Sequence, residues 1–95
     1  MIVGTLEISL KLEGTQSLKD KRRILRSLLQ RARNDFHVAI AEVDDNDLWG
    51  NATLGVACVS TDPGHAESIL GHVINLCDEH PEVEVANVLQ EIERR

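Results

Sequence analysis

The sequence predicts an α+β fold in which two helices cover one face of a four-stranded antiparallel sheet. Three observations support this prediction: a first strand that alternates strictly, two helical segments that each begin at a capping residue, and further strands between and after them. The predicted order is β-α-β-β-α-β. Because each helix crosses over between strands, this order is typical of a two-layer ferredoxin-like sandwich.

Length and composition predict a single domain over residues 1–95. Apolar residues make up 42% of the chain and occur along its whole length, so there is no linker at which to divide it. No apolar run approaches the roughly 18 residues that span a bilayer, and no basic region precedes Ile2 as in a signal peptide. We expect a cytoplasmic protein with no membrane partner.

The chain contains two cysteines. Cys58 and Cys77 lie in apolar contexts and are expected to be buried, reduced thiols.

The first strand and the first helix give the clearest patterns. Residues 2–12 alternate between an apolar side and a more polar side. Ser17 then fits a helix N-cap, with Asp20 three residues later completing a start that is similar to a capping box. We expect a helix from about residue 18 to residue 34. Its core face is predicted to consist of Leu18, Ile24, Leu25, Leu28, Leu29 and Ala32.

The rest of the chain predicts two strands, a second helix and a less regular terminal segment. Residues 36–43 and 53–60 read as strands around a hairpin loop at 42–51, and the apolar 53–60 strand fits a central position covered on much of both faces. Asp62 and Pro63 fit the start of a helix that ends near His80. Residues 82–92 alternate until Ala86, where the phase slips, so a bulge, a kink and a short terminal helix all stay open.

Basic residues are concentrated in the first helix. Residues 17–33 hold seven of the ten Lys and Arg residues and one acid, so they carry +6 in a protein of net charge -6, and the rest sums to -12. Lys21 and Arg31 fall outside an arc of about 100° that contains the other five. These five are Lys19, Arg22, Arg23, Arg26 and Arg33. They are either a solvated face or a contact surface for RNA, a ribosomal component or an acidic protein.

The sequence contains no recognisable catalytic motif. It has no Gly-rich phosphate loop, no nucleophile elbow and no Cys/His/carboxylate set of metal-ligand spacing. The acidic residues of the loop could ligate a divalent cation, although they fit a solvated hairpin tip better. An RNA-recognition sheet needs exposed aromatics, whereas this chain has one Trp, one Phe and no Tyr. We therefore expect a protein that is not an enzyme and binds no cofactor or metal. If it binds RNA, we expect it to contact the phosphate backbone of the RNA and not to read the bases.

The outward face of the sheet is a second candidate contact surface. If the strands alternate as predicted, small apolar residues lie there and favour close approach by a second copy of the chain. A homodimeric interaction or regulatory module with no nucleic-acid role is therefore the alternative function. Trp49 either packs the acidic loop onto the domain or is an exposed contact residue. The candidate interface residues are Val3, Ala39, Ala41, Val43, Trp49, Ala57 and Val59.

Two stretches of the chain resemble a known family. They are residues 17–23, Ser-Leu-Lys-Asp-Lys-Arg-Arg, and residues 41–55, which include Ala-Glu-Val-Asp, Asp-Leu-Trp and Ala-Thr-Leu-Gly. Both are similar to the YlxP-like family, short bacterial proteins classed as a domain of unknown function, and the resemblance spans essentially the whole chain. It implies a ferredoxin-like fold and a gene often found beside those for translation initiation and ribosome-binding factors. Gly50 and Asn51 stand where members commonly carry Gln-Arg, which removes a basic group from this loop.

Overall fold

A computed structural model describes all residues from Met1 to Arg95. Its elements are β1 (Ile2–Leu12), α1 (Leu18–Phe36), β2 (Ala39–Asp44), β3 (Asn51–Ser60), α2 (Pro63–Asp78) and β4 (Val83–Arg94). The strands form one antiparallel sheet in the order β2-β3-β1-β4, with both helices packed against its core side. The predicted ferredoxin-like α+β fold is therefore confirmed.

Both helices begin at the predicted capping residues. Ser17 accepts a hydrogen bond from the backbone N–H of Asp20 at 3.1 Å, and Asp62 accepts one from the N–H of His65 at 2.8 Å. The ends differ from prediction. α1 continues to Phe36, where His37 closes it in the left-handed conformation with φ 54. The expected strand start at residue 36 is therefore wrong, and β2 begins only at residue 39.

The end of the chain is a strand with a bulge. β4 pairs with β1 along its length, and the register shifts between Ser9, which faces Asn87, and Leu10, which faces Val85. Ala86 is the extra residue, at the position where the alternation in the sequence slips. Among the alternatives that the sequence left open, the structure therefore shows the bulge.

One hydrophobic core lies between the sheet and the two helices. Gly4 occupies a core-facing position in β1, where a Cβ atom would lie 3.0 Å from Cys58 Sγ and 3.1 Å from Leu70 Cδ1. The missing side chain therefore lets α2 pack closely on β1.

Cys58 and Cys77 are buried free thiols, as predicted. Burial raises the pKa of both thiols, that of Cys77 to about 11.

The open face is the side of the sheet that carries no helix. β3 is central, as predicted, but the expectation that both its faces are covered is wrong, because Ala57 is exposed and Val59 is 64% exposed. Two helices suffice to cover only one face of four strands, which leaves Gly55 partly exposed and Ala57 and Val59 exposed on the other face of β3, although Thr53 on that side is buried. Neither α1 nor α2 combines the length and apolar character that a membrane-crossing helix requires.

Candidate functional site

A buried lysine joins α1 to the β2–β3 loop, residues 45–50. Lys21 is 1% exposed. Its Nζ atom lies 2.6 Å from Glu42 Oε2 and donates to the carbonyl oxygens of Asp45 at 2.6 Å and Leu48 at 2.7 Å. Two N–H groups of the ammonium thus reach carbonyl oxygens. Glu42 Oε2 is buried and accepts no hydrogen bond, so the ion pair with Lys21 is the contact that compensates its charge.

Sequence reasoning missed this contact, although the helical pattern contains its signal. Lys21 follows Leu18 by three residues and precedes Leu25 by four, so it lies in the middle of the apolar arc of α1. Glu42 faces the same layer because it pairs with Leu54, a buried residue of β3. A lysine at the centre of an apolar stripe predicts a buried acceptor on the facing strand.

The β2–β3 loop is further anchored by two threonines. The buried hydroxyl of Thr15 lies 2.8 Å from the carbonyl oxygen of Trp49 and 2.9 Å from that of Leu12. Thr53 donates to the Asp45 carboxylate at 2.8 Å. The predicted hairpin loop is confirmed, with a shorter span than expected. Of the acidic residues in the predicted span 42–51, Glu42 now belongs to β2, and it and Asp45 already have partners within the protein.

The anchored loop presents two large apolar side chains to solvent. Leu48 is 50% exposed and Trp49 is 51% exposed. The polar contacts of Lys21 and Thr15 reach the main chain of these residues rather than their side chains. The main chain of the loop is thus held by polar contacts that do not involve the Trp49 side chain, about half of which is exposed.

The five predicted basic residues all lie exposed on α1, but they differ in their contacts. Arg33 donates to the carbonyl oxygen of Ile40 on edge strand β2 at 2.7 Å. Arg23 pairs with Glu82 at 3.1 Å, and both side chains are exposed. The remaining three side chains make no ion pair or hydrogen bond within the protein. We call these three, Lys19, Arg22 and Arg26, the cationic face.

The candidate interface residues on the sheet come together on the open face. Val3 faces Val59 across β1 and β3, and Val43 covers Gly55, where a Cβ atom would lie 2.8 Å from Val43 Cγ1. Leu89 of β4 joins this surface and is 60% exposed, which sequence reasoning missed because the bulge changes the phase of β4. A shallow depression on this face is lined by Ala39, Ala41, Val43, Gly55, Ala57 and Leu89, but not by Trp49.

The fold and these surfaces define a small ferredoxin-like α+β protein. Residues 3–90 match the model of a family described as protein of unknown function (DUF503), and the chain belongs to that family. It is 34% identical over 83 residues to the uncharacterized protein YlxP of Bacillus subtilis (strain 168), covering 87% of this chain and 90% of that protein. The resemblance seen in the two sequence stretches is therefore confirmed.

Solved structures share the fold at low sequence identity. A de novo designed protein with a ferredoxin fold matches with a TM-score of 0.59 and 10% identity, over 100% of this chain and 88% of the designed one. An amidase of the hydantoinase/carbamoylase family from Burkholderia phymatum also matches with a TM-score of 0.59, at 13% identity, over 97% of this chain and 28% of the amidase. At such identities the likeness concerns the fold alone.

Proposed function

We propose that this protein is a non-enzymatic accessory protein that contacts RNA, free or within a ribosomal component, through the cationic face of α1. The observation that carries the proposal is that Lys19, Arg22 and Arg26 are exposed together and have no partner within the protein. The chain contains 16 acidic residues and 10 Lys and Arg residues, so carboxylates are plentiful. The fold nevertheless leaves these three cations free for an external anion.

The spacing of the cationic face suits a row of phosphates. Lys19 and Arg26 are seven residues apart, which corresponds to roughly 10 Å along a helix axis. The two guanidinium groups offer forked donors that match phosphate oxygens. Arg23 extends this surface, because its exposed pair with Glu82 is worth roughly 1 kcal/mol or less and can be exchanged for a phosphate contact.

Affinity purification from bacterial lysate, with and without nuclease, tests the proposal. We expect the wild-type protein to recover RNA that nuclease removes, and R22E/R26E to recover little. R94E/R95E is the matched control, because it changes the net charge equally at exposed positions at the end of the chain, outside α1. Arg31 is not used for this purpose, because it lines the same groove on α1 as Lys19, Arg22 and Arg26. Proteins that are still recovered after nuclease treatment, and that R22E/R26E fails to recover, would contradict RNA contact. Such a result would favour an acidic protein as the partner.

The open face supports a second proposed function, self-association. Val59 and Leu89 are 64% and 60% exposed on the open face, whose shallow depression is lined largely by small apolar residues. Such a surface allows the close approach of an identical surface about a twofold axis. Glu91 lies on edge strand β4, whereas Glu7 lies on β1 between Gly55 and Leu89, within the open face. A dimer through this face must therefore leave water or a polar partner at the Glu7 carboxylate. The occupant proposed here is a second copy of the chain.

Light scattering over micromolar concentrations tests self-association. We expect a dimer mass for the wild-type protein and a monomer mass for A57R, which places a cation in the middle of the open face. N34R, which adds the same charge on exposed α1, should remain a dimer. A monomer mass for the wild-type protein would rule this second function out.

A further inference from the structure

We propose that the RNA is single-stranded and that the Trp49 side chain stacks on an unpaired base next to the phosphates held by the cationic face. This inference rests on the proposed RNA contact and adds the class of RNA and a residue that recognises it. It concerns stacking, which does not distinguish one base from another. The stacking residue proposed here lies in the β2–β3 loop, outside the sheet, where the outward face of β1 carries no aromatic residue.

The first step concerns the exposure of Trp49. An indole contributes strongly to a core when it is buried, and this chain contains one Trp residue. That residue is 51% exposed, and Leu48 beside it is 50% exposed. Folding therefore leaves much of the largest apolar side chain of the protein in contact with water.

The second step concerns the rigidity of its backbone. Three polar contacts hold the main chain at this point. Lys21 Nζ donates to Leu48 O at 2.7 Å and Leu12 N donates to Gly50 O at 3.0 Å. Thr15 Oγ1 lies 2.8 Å from Trp49 O and shares its one proton between that oxygen and Leu12 O. A side chain carried on an anchored backbone loses less conformational entropy when it binds. The loop thus has the preorganisation of a contact site.

The third step concerns position. Lys21 in the first turn of α1 and Thr15, two residues before the Ser17 cap, hold the backbone of Leu48 and Trp49. The loop that carries Trp49 is therefore attached at the end of α1 from which Lys19, Arg22 and Arg26 project, although Lys21 itself lies about 100–160° from them around the helix axis. Exposed cations and an exposed aromatic side chain on the same part of a molecule are the combination that binds single strands, because cations follow the phosphates while the ring stacks on a base.

Duplex RNA offers a different surface. Its bases are stacked on one another and its deep major groove does not admit side chains, so a duplex presents phosphates without a free base face. The cationic face could bind either form of RNA, whereas Trp49 could contribute only to the binding of an unpaired strand. The contribution of Trp49 therefore distinguishes the two.

Tryptophan fluorescence measures this contribution directly, because the chain has a single Trp. The probes are an oligouridylate of about 12 nucleotides and a duplex of the same length. We expect the oligouridylate to quench the emission of the wild-type protein and the duplex to leave it nearly unchanged. By fluorescence anisotropy of labelled RNA, W49L should bind the oligouridylate roughly 5- to 100-fold more weakly than wild type. W49F keeps an aromatic ring and should bind closer to wild type.

The possible results separate this inference from the proposed function. Equal affinity of W49L and wild type for the oligouridylate, without quenching, would overturn the stacking inference and leave phosphate contact in place. Equal weakening of W49L for oligouridylate and duplex would also overturn it, since the effect would not depend on an unpaired base. Binding of neither RNA by the wild-type protein would overturn the proposed function itself. Unchanged thermal melting of W49L and W49F verifies that both variants are folded.

Discussion

Lys21 and Glu42 form an ion pair of 2.6 Å between α1 and β2, with side-chain exposures of 2% and 18%. The same ammonium holds two carbonyl oxygens of the β2–β3 loop. One side chain therefore connects a helix, an edge strand and the loop that carries Trp49. It gives a physical role to the stretches of sequence that resemble the YlxP-like family, because Lys21 belongs to the first stretch and Glu42 to the second.

The Lys21–Glu42 pair predicts a large cost for removing one partner alone. K21M leaves the Glu42 carboxylate without its counter-charge and two loop carbonyls without a donor, so the free energy of unfolding should fall by about 3–5 kcal/mol. Urea denaturation measures this loss. K21M/E42Q removes the uncompensated charge and should be more stable than K21M. A loss below about 1 kcal/mol for K21M would show that water replaces Lys21 without difficulty.

The two glycines Gly4 and Gly71 predict opposite effects of one substitution. At Gly4 a new methyl group would lie 3.0 Å from Cys58 Sγ in the core, so G4A should lower the free energy of unfolding by about 1–3 kcal/mol. At Gly71, within α2, a Cβ atom meets nothing within 4 Å, so G71A should raise it by roughly 0.5–1 kcal/mol. Thermal melting of both variants measures the difference. Equal stability of the two would contradict the close packing of α2 on β1.

The buried thiol of Cys77 predicts a loss of stability at alkaline pH. Burial raises its pKa from 9.0 to about 11, so the folded state retains a proton that the unfolded state releases. The stabilisation is complete below pH 9 and is lost as the pH rises through 9 towards 11, by roughly 2–3 kcal/mol in total. C77A should lose less stability than wild type between pH 8 and about pH 11 when urea midpoints are compared. If the urea midpoints of wild type and C77A fall in parallel as the pH rises, ionisation of Cys77 is not the cause of the alkaline loss of stability.

Local patterns in the sequence were sufficient to predict most of the fold. The alternation of β1, the caps at Ser17 and Asp62 and the slip at Ala86 each depend on neighbours within a few residues, so they could be read directly. The end of α1 could not be predicted in this way, because His37 adopts a left-handed conformation that no strong sequence signal marks.

The candidate site was less predictable, because it depends on contacts between distant residues. The arc of basic side chains followed from helical geometry, but the bond of Arg33 to Ile40 and the pair of Arg23 with Glu82 require the tertiary structure. The burial of Lys21 could have been recognised from its place in the apolar arc. Its bonds to the loop at positions 45 and 48 could not, since they join residues 24 and 27 positions apart.

The salt dependence of RNA binding tests phosphate contact by the cationic face most directly. On single strands each phosphate contact contributes about -0.7 to the slope of log affinity against log salt, so three contacts predict a slope of about -2. R22E/R26E should bind weakly and lose at least about 1.4 of that slope, while R94E/R95E should keep it. Binding of the wild-type protein that does not change with salt, or equal slopes for R22E/R26E and wild type, would contradict phosphate contact by Lys19, Arg22 and Arg26.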